Sequence, residues 1–346
     1  MHRLPNARAL PHRFAVGQVA LTSFPSTLPL FAGSVLPVAK TALLFAGQGA
    51  QGVGMGRDLA ESHPTAKALF AQADEVLGYG LSGICFSGPE EELVRTEHAQ
   101  PAIYLVGWIA LQLLREQVPS LAFDATAGLS LGEFTALAAA DALGFEDGLR
   151  VVRRRGELMQ EACEASAGGM AAIVGLDEEA VRSVCDQAGV SLANLNCPGQ
   201  IVVSGDADKM DAACEAAKAA GAKRAIPLPV AGAYHSPLMQ PAQAGLAEAL
   251  AKVELREPTT PVYSNVTGQA HAAAGTIAGT MVDQVTSPVK WEACIRALIA
   301  GGVTRFIELG PGKALSGFMR RIDRDAEMLN VGDGDSLAKA AEVLNA

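Results

Sequence analysis

The chain has 346 residues, 49% of them apolar and 18% charged, and 27 Lys and Arg against 37 Asp and Glu give a net charge of -10. That length suits one large domain with an insertion, or two domains, and the acidic balance argues against nucleic acid as a partner of the body. No run of about 18 apolar residues free of breakers occurs, so no membrane span is expected.

The first forty residues differ from the rest. Arg3, Arg8, Arg13 and Lys40 are their charged groups, the first acid of the chain is Asp58, and serines and prolines are frequent. A basic, hydroxyl-bearing, acid-free leader before an acidic body is the composition of an organelle transit peptide, here residues 1–40. Pro25, Pro29 and Pro37 interrupt the apolar stretch, which disfavours a secretory signal.

TALLFA at 41–46 then reads as a buried strand, and GQGAQGVGMG at 47–56 as a loop whose glycines let backbone amides approach a ligand. Helical spacing follows over 64–77 and 100–117. Residues 125–129 predict a short strand, Ser130 a turn, and 131–143 a helix. Between 168 and 230 the patterns alternate as strand, helix, strand, strand, helix, strand, the βαββαβ order of a ferredoxin-like unit. PVYSNVTG and VTRFIELG are further strand candidates. The expected fold is α/β, a hydrolase-like core with a parallel sheet over 41–166 and 231–346, carrying an inserted ferredoxin-like subdomain at 167–230. Six scattered cysteines without a C-x-x-C pair suggest buried reduced thiols, with no metal site and no disulfide framework.

Two readings compete at Gly128-Leu129-Ser130-Leu131-Gly132. As G-x-S-x-G it is a strand-to-helix turn too tight for flanking side chains, exposing a nucleophilic serine at a helix N-terminus. As S-L-G-E, with Glu133 three residues on, it is a helix capping box. A nucleophile requires a base. Of the histidines outside the leader, His63 and His98 lie at helix starts and His271 in an Ala/Gly-rich loop. His235 in VAGAYHSPLM lies where the chain re-enters the large domain, and clefts form at such junctions.

FAGQGAQ (45–51), GLSLGEFTAL (128–137), RRRGELMQEA (153–162), NLNCPGQIVVSG (194–205), AYHSPLM (233–239) and ELGPGKAL (308–315) follow in that order. Together they resemble the malonyl-CoA:acyl carrier protein transacylases of fatty acid synthesis, over roughly residues 41–330. The resemblance implies a malonyl-serine on Ser130 with His235 as base, and His235 oriented by the main-chain carbonyl of Gln284. It implies an oxyanion hole from the backbone amides of Gln48 and Leu131, and Arg155 pairing with the malonyl carboxylate. Asn196, with Asn194 beside it, matches a pocket asparagine. Three successive arginines on a helix point about 100° apart, so one of Arg153, Arg154 and Arg155 can face the pocket, and the resemblance implies that it is Arg155.

The implied substrates are malonyl-CoA and holo acyl carrier protein, with no cofactor, in a monomer. The bacterial pattern has histidine where this chain has Leu129, and plant plastid relatives look similar to this chain there. The expected location is therefore the plastid stroma, with the mitochondrial matrix as the alternative. Carrier proteins are acidic, and Lys313, Arg320, Arg321 and Arg324 form a candidate docking patch. The rival reading is a serine hydrolase or thioesterase, in which Asp206 or Asp208 would orient the histidine.

Overall fold

A computed structural model describes residues 39–346, so of the leader predicted at 1–40 residues 1–38 lie outside the described residues, while Lys40 already belongs to the first strand. Five parallel strands form the core sheet: β1 (Lys40–Phe45), β2 (Ala125–Gly128), β7 (Val262–Tyr263), β8 (Val303–Leu309) and β9 (Glu327–Val331), in the spatial order β7-β2-β1-β8-β9. Both faces are covered, as parallel sheets require. Along β1 the side chains alternate: Leu43 and Phe45 join the larger core beneath the long helices, and Ala42 and Leu44 join a second core with Trp291, Ile295 and Phe306.

The register aligns the functional loops. Phe45 pairs with Gly128 on one side and Leu309 on the other, so three neighbouring strands end at one level. The chain leaves β1 into the Gly47-Gln48 loop and leaves β2 into Ser130. A cleft outside the carboxyl ends of the strands is where open α/β sheets bind ligands.

The second sheet is antiparallel, with β3 (Gly168–Val174), β4 (Ser191–Cys197), β5 (Gln200–Asp206) and β6 (Arg224–Pro227) in the order β4-β5-β3-β6. With helices Glu178–Ala188 and Met210–Ala219 this is the expected βαββαβ arrangement. Ala171, Ile173, Leu192, Ile201 and Val203 pack against those helices as a separate core. The opposite face presents Met170, Asn194, Asn196 and Val202 to the cleft. One face of the sheet thus stabilises the lobe while the other forms a wall of the site.

Some local expectations shift. The helix expected at 100–117 begins earlier, at Thr96, and carries Pro101 as its sixth residue, where the missing N–H leaves Glu97 O without its i→i−4 donor. The helix after Ser130 covers Gly132–Ala139, shorter than predicted. PVYSNVTG contributes two strand residues, because Ser264 N turns back to Gln269 O at 2.9 Å and closes a loop. The run at 223–230 is a strand only over Arg224–Pro227. No helix among the described residues is long and apolar enough to cross a membrane.

Candidate active site

The turn from β2 into the following helix is as tight as the glycines allow. A Cβ on Gly128 would lie 1.9 Å from the carbonyl of Gly132, and one on Gly132 would lie 2.2 Å from Phe45 O. Side chains at either position would collide with backbone, which cannot yield. Ser130 itself has φ 52°, a left-handed conformation costing about 1–2 kcal/mol for a residue with a Cβ. Asn265 holds it there: Oδ1 accepts from Ser130 N at 2.6 Å and Nδ2 donates to Gly128 O at 2.8 Å.

The capping box does not form. Ser130 and Leu131 precede the helix, no side chain caps its N-terminus, and both side chains of the motif turn elsewhere. Ser130 Oγ lies 2.8 Å from His235 Nε2, and Glu133, wholly buried, points into the protein behind the turn.

His235 also has a left-handed backbone, φ 58°. Its Nδ1 faces Gln284 O at 2.9 Å. A carbonyl only accepts, so Nδ1 carries the proton and Nε2 is left with a lone pair toward Ser130 Oγ. Burial and the neighbouring Arg155 charge both disfavour imidazolium, and the histidine is pulled down to about 4. It is therefore neutral near pH 7, the state a general base needs. Asp206, weighed as an orienting acid, pairs instead with Lys209 at 2.6 Å. A carbonyl in that position argues against a hydrolase-type triad.

The three arginines part as helical geometry requires. Arg153 bonds Glu157 and Leu77 O, and Arg154 bonds Glu157 and Glu161. Arg155 is 1% exposed and reaches Ser130 Oγ through Nη2 at 3.1 Å. Nη1 donates to Gln100 Oε1 at 2.6 Å and Nη2 to Gln284 Oε1 at 3.0 Å, and the guanidinium lies over the Phe134 ring, 5.6 Å from its centroid. Burial draws Arg155 down to about 10, with Glu133 opposing, so it stays charged at neutral pH.

Above these groups lies a cleft of about 360 Å³, lined by the 46–51 loop, Leu129, Ser130 and His235 on one side and by Met170, Asn194, Asn196 and Phe318 on the other. Most of its wall is apolar. Asn196 is buried, and its Oδ1 meets no donor among the described residues. Gln48 lies at the cleft, its side chain held by Thr96 Oγ1 and Tyr234 Oη. The amides of Gln48 and Leu131 donate to no protein acceptor among the described residues. A Cβ on Gly47 would lie 2.3 Å from Leu129 O, which shows how closely that loop lies on the serine turn. Leu129 thus has a packing role: its side chain fills the space beside Gly47 and forms cleft wall.

All eight residues singled out from the sequence fall in or beside this one cleft. Four were missed as parts of it. Gln100, fully buried, holds Arg155, and nothing local in the sequence sets it apart from the other polar residues of its helix. Asn265 clamps the serine turn. Glu133 was legible only as a cap. His271, read as a loop histidine, has a side chain 2% exposed and lies 2.8 Å from Glu133 Oε1.

Known proteins resemble this chain in both sequence and fold. The acyl transferase domain family matches residues 42–328. The malonyl CoA-acyl carrier protein transacylase of Bacillus subtilis is 46% identical over 312 residues, 89% of this chain and 98% of that protein. The Escherichia coli K12 protein of the same name is 40% identical over 306 residues, covering 87% and 99%. The crystal structure of acyl-carrier-protein S-malonyltransferase from Bartonella henselae matches with a TM-score of 0.84 at 38% identity, over 89% of this chain and all of that one. A malonyl-transacylase solved in complex with its type II polyketide acyl carrier protein matches with a TM-score of 0.85 at 38% identity, over 88% and 100%.

Proposed function

Because this chain belongs to the acyl transferase family, as a malonyl-CoA:acyl carrier protein transacylase, we infer that Ser130 carries the malonyl group between two thiols. His235 Nε2 takes the proton of Ser130 Oγ as Oγ bonds the thioester carbonyl carbon. The C–S bond breaks, and the CoA thiolate leaves with the proton from His235. The phosphopantetheine thiol of holo acyl carrier protein then attacks the malonyl ester. His235 takes that thiol's proton and returns it to Ser130 as the C–O bond breaks. The observation that carries this reading is the 2.8 Å contact between Ser130 Oγ and His235 Nε2, with the imidazole held by a carbonyl on its other side.

The amides of Gln48 and Leu131 are the donors for the tetrahedral oxyanion. Losing one such donor in comparable enzymes costs about 10²–10³ in rate. Arg155 Nη2, 3.1 Å from Ser130 Oγ, receives the free carboxylate of the acyl group, since a guanidinium fork matches a carboxylate with two parallel donors. An acetyl group offers no such charge. Asn196, with Asn194 beside it, offers acceptor and donor groups to the polar arm that both substrates share.

The acid-free leader supports import into an organelle, and Leu129 supports the plastid stroma over the mitochondrial matrix; sequencing the N-terminus of the mature protein from fractionated organelles decides it. A monomer serves this chemistry, since the proposed groups all come from one chain; sedimentation of the purified protein checks that. The reaction itself is tested by incubating the enzyme with malonyl-CoA and either holo or apo carrier protein. Malonyl transfer to the holo form alone supports the reading. Free malonate released equally in both reactions would point to a hydrolase.

A further inference from the structure

Glu133 is a wholly buried carboxylate that the reaction as described does not use. Its Oε1 faces His271 Nε2 at 2.8 Å, and its Oε2 accepts from Asn265 N at 3.0 Å and Gln284 Nε2 at 2.7 Å. Gln284 Nε2 also donates to Ser130 O at 3.1 Å. With its nitrogen held between two acceptors, the Gln284 amide must turn Oε1 the other way, where it accepts from Arg155 Nη2. The chain of contacts is therefore directional: Arg155 donates to Gln284, Gln284 donates to Glu133, and His271 donates to Glu133 from its other side. Arg155, buried and without a carboxylate in contact among the described residues, is linked through one amide to the negative group whose field favours its charge.

We propose that Glu133, anchored by His271, is a positioning residue for substrate selectivity: it fixes the orientation of the Gln284 amide and thereby the Arg155 fork. The proposal rests on the reading of Arg155 as the group that receives the malonyl carboxylate. Its physical content is the amide flip. A neutral glutamine at 133 has one acceptor oxygen where three donors converge: an N–H on the Oε1 side is met only by the other His271 tautomer, and one on the Oε2 side opposes Asn265 N and Gln284 Nε2. Relief comes from rotating the Gln284 amide, which points N–H instead of C=O at the guanidinium and drives the fork out of place. A buried charge-assisted contact of this kind is worth about 1.5–3 kcal/mol, or roughly ten- to a hundredfold in a rate ratio.

The test is kcat/KM for malonyl-CoA and for acetyl-CoA with intact enzyme, in wild type, Arg155→Met, Glu133→Gln, the double variant, His271→Ala and His271→Gln. Glu133→Gln is expected to lower the malonyl-to-acetyl ratio about tenfold or more and to lower it no further in the Arg155→Met background. His271→Ala should lower the ratio severalfold, and His271→Gln, which keeps a donor facing Glu133, should restore it; this pair carries the test if Glu133→Gln fails to fold. Equal losses on both substrates, or an undiminished effect of Glu133→Gln in the double variant, would overturn the proposal while leaving the Arg155 reading intact. An unchanged ratio in Arg155→Met would remove that reading and the proposal with it.

Discussion

His235 Nδ1 is bonded at 2.9 Å to the main-chain oxygen of Gln284, so the imidazole opposite Ser130 is oriented by a carbonyl. A carboxylate in that position would stabilise imidazolium and raise the histidine; a carbonyl sets the tautomer with much less effect on charge. Burial and Arg155 then dominate, and both lower it, to about 4. The rate of Ser130 acylation by malonyl-CoA should accordingly hold as pH falls through 6.5 and decline only toward the lowered value. Arg155→Met removes one of the two lowering influences, so its acid limb should move up toward 6.5. Rapid-quench acylation across pH measures both limbs. Linkage has the same sign: the unfolded chain binds this proton more readily, so the contribution of His235 to stability falls as pH drops from 6.5 toward 4.

The glycines of the serine turn divide from those elsewhere. Gly128→Ala forces a Cβ to 1.9 Å from backbone and should cost several kcal/mol, read as loss of soluble protein or a large fall in Tm. Gly279→Ala, inside helix Ala274–Asp283 with nothing within 4 Å of the new atom, should raise stability by about 0.5–1 kcal/mol. Thermal denaturation of the two variants decides between a steric requirement and a general glycine effect.

Asn196 presents a buried, unpartnered Oδ1 to the cleft. Both substrates carry the same phosphopantetheine arm, so Asn196→Leu should raise KM for malonyl-CoA and for carrier protein together, by about tenfold, the cost of a lost buried hydrogen bond. Steady-state kinetics with each substrate varied in turn gives the comparison.

Helix Ala314–Ile322 is the counter-case. Phe318 lines the cleft while Arg320, Arg321 and Arg324 are exposed, so cations lie beside the entrance of a net-acidic protein. Reversing Arg320 and Arg321 to Glu should raise KM for carrier protein severalfold, more at low salt, and leave KM for malonyl-CoA unchanged. Equal shifts for both substrates would mean that the helix supports the cleft and does not dock a partner.

What could be read from the residues had local causes. The serine turn shows in sequence because two glycines must flank it, and the antiparallel lobe because four strand patterns and two helix patterns alternate over a short span. His235 stood out by position at a junction. Asn265, Gln100 and His271 were not legible, because each acts on a partner far away in the chain: Asn265 reaches Ser130, Gln100 reaches Arg155 and His271 reaches Glu133. No local pattern marks such a contact. Glu133 was misleading for a related reason, since its spacing from Ser130 fits a cap, and only the tertiary arrangement turns it inward to three donors. β9 escaped notice as well. Its side chains are half-buried at the sheet edge and EMLNV lacks a clear alternation.

The central claim is a malonyl ester on Ser130, formed with His235 as base. Brief exposure to malonyl-CoA without carrier protein, followed by peptide mass spectrometry, tests it most directly. The expected result is one malonyl group on the peptide containing Ser130, no adduct in Ser130→Ala, and an adduct forming about 10²–10⁴ times more slowly in His235→Ala. An adduct of undiminished rate in Ser130→Ala would contradict the account.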